Sequence, residues 1–228
     1  MLIDTHCHLD AEEFSEDRDD VIVAAETAGV SIIINPATGI ENFAGVRDCC
    51  MRYPVCYPAY GIHPLYLERV GEDDLVVLRE WLIRELAGTK PPVAVGEIGL
   101  DFFVSGFDAA RQEHYFLEQL KIARELDLPV VLHVRRAIDA VLKCLRRVRV
   151  TGGIAHAFNG SPQQAEEFIR LGFKLGFGGA MTYPRATRIR QLASSLALEA
   201  IVLETDAPDI QIGRASCREE CRSRWSPY

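Results

Sequence analysis

The chain has 228 residues, 48% of them hydrophobic and 25% charged, with a formal net charge of -8. That length buries a substantial core in one domain, and the acidic balance excludes a protein that coats nucleic acid by bulk electrostatics, though not an enzyme with a locally cationic centre. No apolar run reaches the roughly 18 residues of a membrane span, Asp4, His6 and His8 interrupt the N-terminus before a leader core develops, and the seven cysteines include no C-x-x-C pair, so a reducing, cytoplasmic setting is expected.

Strand-like runs fall at 2–7, 31–35, 55–60, 93–97, 130–134, 153–156, 173–177 and 200–205, separated by longer stretches. The first of these stretches predicts a helix over 18–28, closed by Gly29, which tolerates a left-handed C-terminal cap. The strongest helical pattern covers 108–126, where Phe116, Leu120 and Ala123 recur at helical spacing and Pro129 follows. Ser161-Pro162 supplies a hydroxyl cap and a first-turn proline for a helix ending near Gly172. Eight strand–helix alternations predict an α/β fold, a (β/α)8 TIM barrel, over 1–212. Periodicity alone leaves a doubly wound open sheet in play.

The ionisable residues follow the strands. His6, His8, Glu97, His133, His156 and Asp206 each lie at or near the C-terminal end of a predicted strand, which is where barrel enzymes assemble their sites. Buried strand ends bearing ionisable groups are costly unless the groups are paired or coordinated. Four imidazoles and two carboxylates suit Zn, Mn, Fe or Mg, and a carboxylate can bridge two ions. Residues i and i+2 of a strand share a face, so His6 and His8 could grip one ion while Cys7 points to the packed outer side.

Other residues carry open alternatives. Glu204 shares the face of Asp206 and either orients a ligand or water, as a catalytic candidate, or forms a buried ion pair. Arg135 and Arg136 follow His133 and either clamp a substrate phosphate or cap the next helix. Asp10 and Asp101 are placed to orient ligand histidines or loops, and His114 reads as a solvated helix residue. The glycines of LGFGGAMT lack the Lys-Ser or Lys-Thr of a phosphate-cradling loop.

The segments IDTHCHLD, GIHP, VAVGEIGLDF, LPVVLHVRRA, GIAHAFNGS, GFGGAMTYPRA and LETDAPD, in this order from residue 3 to about 209, resemble the TatD family of metal-dependent hydrolases and deoxyribonucleases, particularly its YjjV-type branch. The resemblance implies an amidohydrolase-like barrel and an enzyme that hydrolyses DNA or another phosphodiester; a monomer is expected. It implies two divalent ions (Zn, Mg or Mn), one held by His6, His8 and Asp206, the other by His133 and His156, with Glu97 bridging. Asp206 becomes the candidate base acting on a metal-activated water, and His63 of GIHP a substrate-side residue that binds phosphate or protonates the leaving oxygen.

The same ligand set would also serve an amide, ester or lactone hydrolase. After LETDAPD the chain reads IQIGRASCREECRSRWSPY, whose density of Arg, Ser and Cys lacks helical periodicity. Residues 213–228 are therefore expected to be an atypical, disordered or foreign tail in place of terminal helices. A truncated, inactive barrel acting as a binding module is the corresponding alternative.

Overall fold

The computed structural model describes residues 1–210, in which eight strands pair in parallel, each with the next in chain order. They are β1 (Leu2–Asp4), β2 (Val30–Pro36), β3 (Cys56–Tyr60), β4 (Ala94–Asp101), β5 (Val130–Arg135), β6 (Gly153–Ala155), β7 (Phe173–Phe177) and β8 (Ile201–Leu203). Each connection carries a helix: α1 (Arg18–Thr27), α2 (Phe43–Arg52), α3 (Asp73–Leu86), α4 (Ala109–Glu125), α5 (Ile138–Arg147), α6 (Pro162–Arg170) and α7 (Thr187–Ser195). This is the (β/α)8 order, and the doubly wound alternative fails because strand order never reverses. The tail expected at 213–228 lies outside the described residues.

The ring closes between the first and last strands through few groups. Thr5 N and Oγ1 both donate to Leu203 O, at 3.0 and 2.9 Å, and Asp206 N donates to His6 O at 2.8 Å. Asp4 spans the same seam, accepting from Thr205 N at 3.0 Å and from Thr205 Oγ1 at 2.7 Å. Apolar side chains nevertheless stay exposed there, with Leu2 at 45% and Leu203 at 46%.

Side-chain alternation separates the barrel interior from its shell. Tyr60, Val95 and Val130 belong to the main core shared with the helices, whereas their chain neighbours Ala59, Ala94 and Val131 form a separate small cluster with Ile34. His133 and Arg135 have the parity of Val131 and so share its inner face. Local signals set the helix ends: Asp108 accepts from Ala110 N and Arg111 N to cap α4, and Ser161 and Gln164 form a capping box on α6.

All eight expected strands form, with shifted edges. β4 runs four residues further than expected because every residue in it is buried, and a strand covered on both faces lacks the polar alternation that marks an end. β1 is shorter: its ladder ends at Asp4, and His6 and His8 follow in an irregular segment pinned by an isolated bridge between Cys7 and Ala207.

Candidate metal centre

Glu97, near the middle of the long strand β4, is 2% exposed and organises the site. Its Oε2 lies 3.2 Å from His6 Nε2 and 3.6 Å from His8 Nε2, while its Oε1 lies 3.0 Å from His133 Nδ1, 3.6 Å from His156 Nε2 and 3.7 Å from His63 Nε2. Asp206, just past β8, repeats the arrangement: Oδ1 is 3.5 Å from His6 Nε2 and 3.8 Å from His8 Nε2, and Oδ2 is 3.9 Å from His156 Nε2. The six residues expected to carry the metal chemistry thus converge from β1, β4, β5, β6 and β8.

These donors fit a cation. His6 is fully buried, its Nε2 stands 3.2 Å from His8 Nε2, and its Nδ1 has no hydrogen-bond partner among the described residues. Lone pairs packed this closely around two carboxylates call for protons or metal ions between them. Compact donor groups occur at His6, His8 and Glu97, at His6, His156 and Asp206, and at His63, Glu97 and His133. A fourth joins His8 and Asp206 to Asp209, the last acid of the DAPD run, which the sequence reading left out. Cys7 belongs to none of them; it is 4% exposed in the apolar core, and burial pushes its thiol well above the ordinary value.

The second half of the centre departs from expectation in one respect. His133 turns Nε2 toward Asp101 Oδ2 at 2.9 Å and gives Nδ1 to Glu97, so the compact group beside it contains His63 rather than His156. Asp101 orients His133 as expected, and its other oxygen accepts from Phe103 N and Val104 N. His63 Nδ1 accepts from Leu65 N at 3.2 Å, which places the ring proton on Nε2. Burial, with His133 close by, lowers the His63 pKa to about 3. The neutral ring is a fixed hydrogen-bond donor.

Electrostatics follow the same geometry. Burial alone would raise the Glu97 pKa, but the surrounding imidazoles, led by His6 and His63, hold it well below the carboxylate range. Burial likewise opposes a charge on His156, yet Asp206 and Glu204 raise its pKa to about 10 in the metal-free site. Glu204 sits behind His156, with Oε1 3.4 Å from His156 Nδ1 and 2.6 Å from the donating Ala157 N. This geometry is a buried ion pair with His156, and it also places Glu204 to orient that ring.

The glycine run of β7 now has a physical purpose. A Cβ at Gly176 would stand 2.1 Å from Glu204 Oε2, and one at Gly178 would stand 2.4 Å from Glu204 O. These glycines make room for the carboxylate and its strand. Backbone strain gathers nearby: Arg136, Ala157 and Asp206, three of the four non-glycine residues with left-handed φ among the described residues, follow barrel strands at the site.

Beside the centre lies a cavity of about 680 Å³ lined by Phe102, Phe103, Arg135, Arg136, Ile138 and Asn159, among others. The guanidinium carbons of Arg135 and Arg136 lie 4.0 and 4.4 Å from the centre of the Phe103 ring. The residue at the N-terminus of α5, Ala137, makes no side-chain cap bond. His114 is exposed and 3.4 Å from Glu72, a surface residue as expected. Asp10 accepts from Asn42 and so ties the loop after β1 to the turn before α2.

A family profile described as "TatD related DNase" matches residues 3–223. The chain belongs to the TatD family. It is 46% identical over 212 residues to the Escherichia coli uncharacterized metal-dependent hydrolase YjjV, an alignment covering 92% of this chain and 81% of that protein. The 3'-5' ssDNA/RNA exonuclease TatD of Cronobacter sakazakii is 34% identical over 210 residues, covering 91% of this chain and 78% of that one. The crystal structure of Escherichia coli YjjV superposes with a TM-score of 0.87 at 45% identity, covering 92% of this chain and 81% of the YjjV chain. An organophosphorus hydrolase from Deinococcus radiodurans, at 14% identity and a TM-score of 0.67, shares the fold. As a TatD protein the chain is a metal-dependent hydrolase of the DNase type, and no helix among the described residues is long and apolar enough to cross a membrane.

Proposed function

We propose that the protein is a deoxyribonuclease that cleaves single-stranded DNA with two divalent cations. The observation that carries this reading is the division of Glu97: one oxygen faces His6 and His8, the other faces His133, His156 and His63. A carboxylate placed in this way could serve two ions: His6, His8 and Asp206 would hold one, and His133 and His156, with His63 beside His133, would hold the other. Divalent ions in such a pair lower the pKa of bound water and neutralise charge on a phosphoryl group.

The protein's own residues supply the rest. Asp206 has an oxygen directed toward each half of the centre and accepts the proton of the attacking water. His63 Nε2–H donates to a phosphate oxygen, and its low pKa keeps it neutral in that role. Arg135 and Arg136, braced against Phe103, offer guanidinium groups to the neighbouring phosphate. Glu204 and Asp101 hold His156 and His133 in their ring orientations. The exonuclease name of the Cronobacter relative supports DNA, taken from an end, as the substrate.

End-labelled single-stranded DNA tests the reading. Cleavage that stops on chelation and in Glu97→Ala is the expected result. Bound metal without DNA cleavage, together with turnover of amides or lactones, would move the site to a different substrate class.

A further inference from the structure

We propose that Gln112 and Gln119 of α4 are positioning residues that aim the imidazoles of His63 and His133, two of the three that face Glu97 Oε1. Both are 1% exposed. Seven residues apart, they lie two turns from each other on one face of the helix, among the apolar Tyr115, Phe116, Leu120 and Ala123. Gln119 makes a reciprocal amide pair with one residue of the chain after β3: its Oε1 accepts from Ile62 N at 2.7 Å and its Nε2 donates to Ile62 O at 3.0 Å. The next residue is His63, whose backbone N donates to Thr38 O and whose Nδ1 accepts from Leu65 N.

Gln112 works one strand over. Its Oε1 accepts from Asp101 N at 2.8 Å, and Asp101 Oδ2 holds His133 Nε2 at 2.9 Å. One helix face therefore fixes the backbone at both supports of a tight pair, since the His63 and His133 ring centroids are 4.3 Å apart and meet edge to face.

The choice of residue types strengthens the assignment. A buried amide costs free energy unless its groups are bonded, and Gln112 Nε2 has no partner among the described residues. Leucine at either position would leave the Asp101 N–H, or the Ile62 N–H and carbonyl, without its partner, so each amide is what holds that backbone segment in place. At Gln119 the amide replaces the strand neighbour that Ile62 would otherwise need, because the pairing of β3 with β4 ends at Tyr60 and Val95.

The test combines a structural and a kinetic readout, and only the kinetic one rests on the proposed nuclease reading. In metal-free wild type, ring-nitrogen NMR should show His63 as a single neutral tautomer protonated at Nε2. Gln119→Leu should lose that signature. It should also lower kcat on single-stranded DNA by about tenfold or more, the scale of small misplacements in an active site, with KM within about twofold and bound metal unchanged. If that variant folds poorly, Gln119→Glu decides. Its protonated carboxyl accepts and donates as the amide does, so its activity relative to wild type should recover as pH falls.

Wild-type kcat together with an unchanged His63 tautomer would overturn the proposal. A fall in kcat matched by loss of metal, or a Gln119→Glu activity that does not recover as pH falls, would overturn it too, because a merely structural role predicts that pattern. Wild-type protein without chelator-sensitive DNA cleavage would refute the nuclease reading instead and leave the tautomer to decide the positioning role.

Discussion

Gly176→Ala isolates the cradle that holds Glu204. The added methyl would lie 2.1, 2.7 and 3.0 Å from Glu204 Oε2, Cδ and Oε1, inside van der Waals contact for the whole carboxylate. Glu204 is 7% exposed, and moving it breaks the 2.6 Å bond from Ala157 N and the 3.4 Å contact with His156. A hydrogen bond to a charged group contributes about 1.5–3 kcal/mol, and the smaller unfolded-state entropy of alanine returns about 0.4–1 kcal/mol. The net cost of roughly 1–2 kcal/mol lowers the melting temperature by about 2–4 °C per kcal/mol in a protein of this length. On the proposed role of His156 as a ligand oriented by Glu204, metal affinity should fall by about 10–100-fold. Thermal melts of the metal-free protein and metal titrations measure both effects. Gly71→Ala, which meets no atom within 4 Å, is the control. Wild-type melting and full metal affinity in Gly176→Ala would refute the cradle.

Further expectations concern the centre and its seam. His6→Ala or His8→Ala should lose one equivalent of metal by elemental analysis, whereas Cys7→Ala should keep both, since Cys7 sits in the apolar core. Thr205→Val removes the 2.7 Å bond to Asp4 and should cost about 1–2 kcal/mol in denaturant unfolding, with little change if the seam is held by backbone alone. In the metal-free protein the His156 pKa is raised above its unfolded value, to about 10. Its stabilisation is therefore complete below the unfolded pKa and lost as pH rises toward 10. The lowered Glu204 pKa works in the other sense, with stability present above its unfolded value and lost as pH falls through the folded one. Melts across pH should show both limbs, and Glu204→Gln should flatten them. Metal binding must also displace the His156 proton, so calorimetry in buffers of different ionisation enthalpy should register proton release.

Much of the fold was legible because parallel barrel strands are short apolar runs, and the ionisable residues at their ends break the pattern where the site is. His6, Glu97 and Asp206 could be picked out because nothing else explains charge at such positions. What stayed hidden depends on contacts between segments distant in the chain. The tautomer of His63 comes from the Leu65 amide, and the turn of His133 toward Asp101 exchanges the partners of the second donor group. Gln112 and Gln119 look like ordinary polar helix residues until α4 is packed against the barrel. For Gly176 and Gly178 the sequence excludes only a phosphate-cradling loop, and the position of Glu204 is what explains them. The extent of β4 was hidden because burial on both faces removes the alternation that marks a strand end.

The closure of the ring sets a schedule as well as a shape. His6 and His8 are synthesised some two hundred residues before Asp206, whose carboxylate faces them. The donor set is therefore incomplete on any nascent chain that has not docked its last strand, and partly made protein holds no finished hydrolytic centre. A cation held by His6 and Asp206, as proposed, would tie the two ends of the barrel together, closing a loop that spans nearly the whole described chain. Such long-range ties draw their stabilisation from the unfolded ensemble, so metal withdrawal should release the seam before the rest of the barrel. Hydrogen exchange at Thr5 and Asp206, whose amides bridge it, would record that order of events.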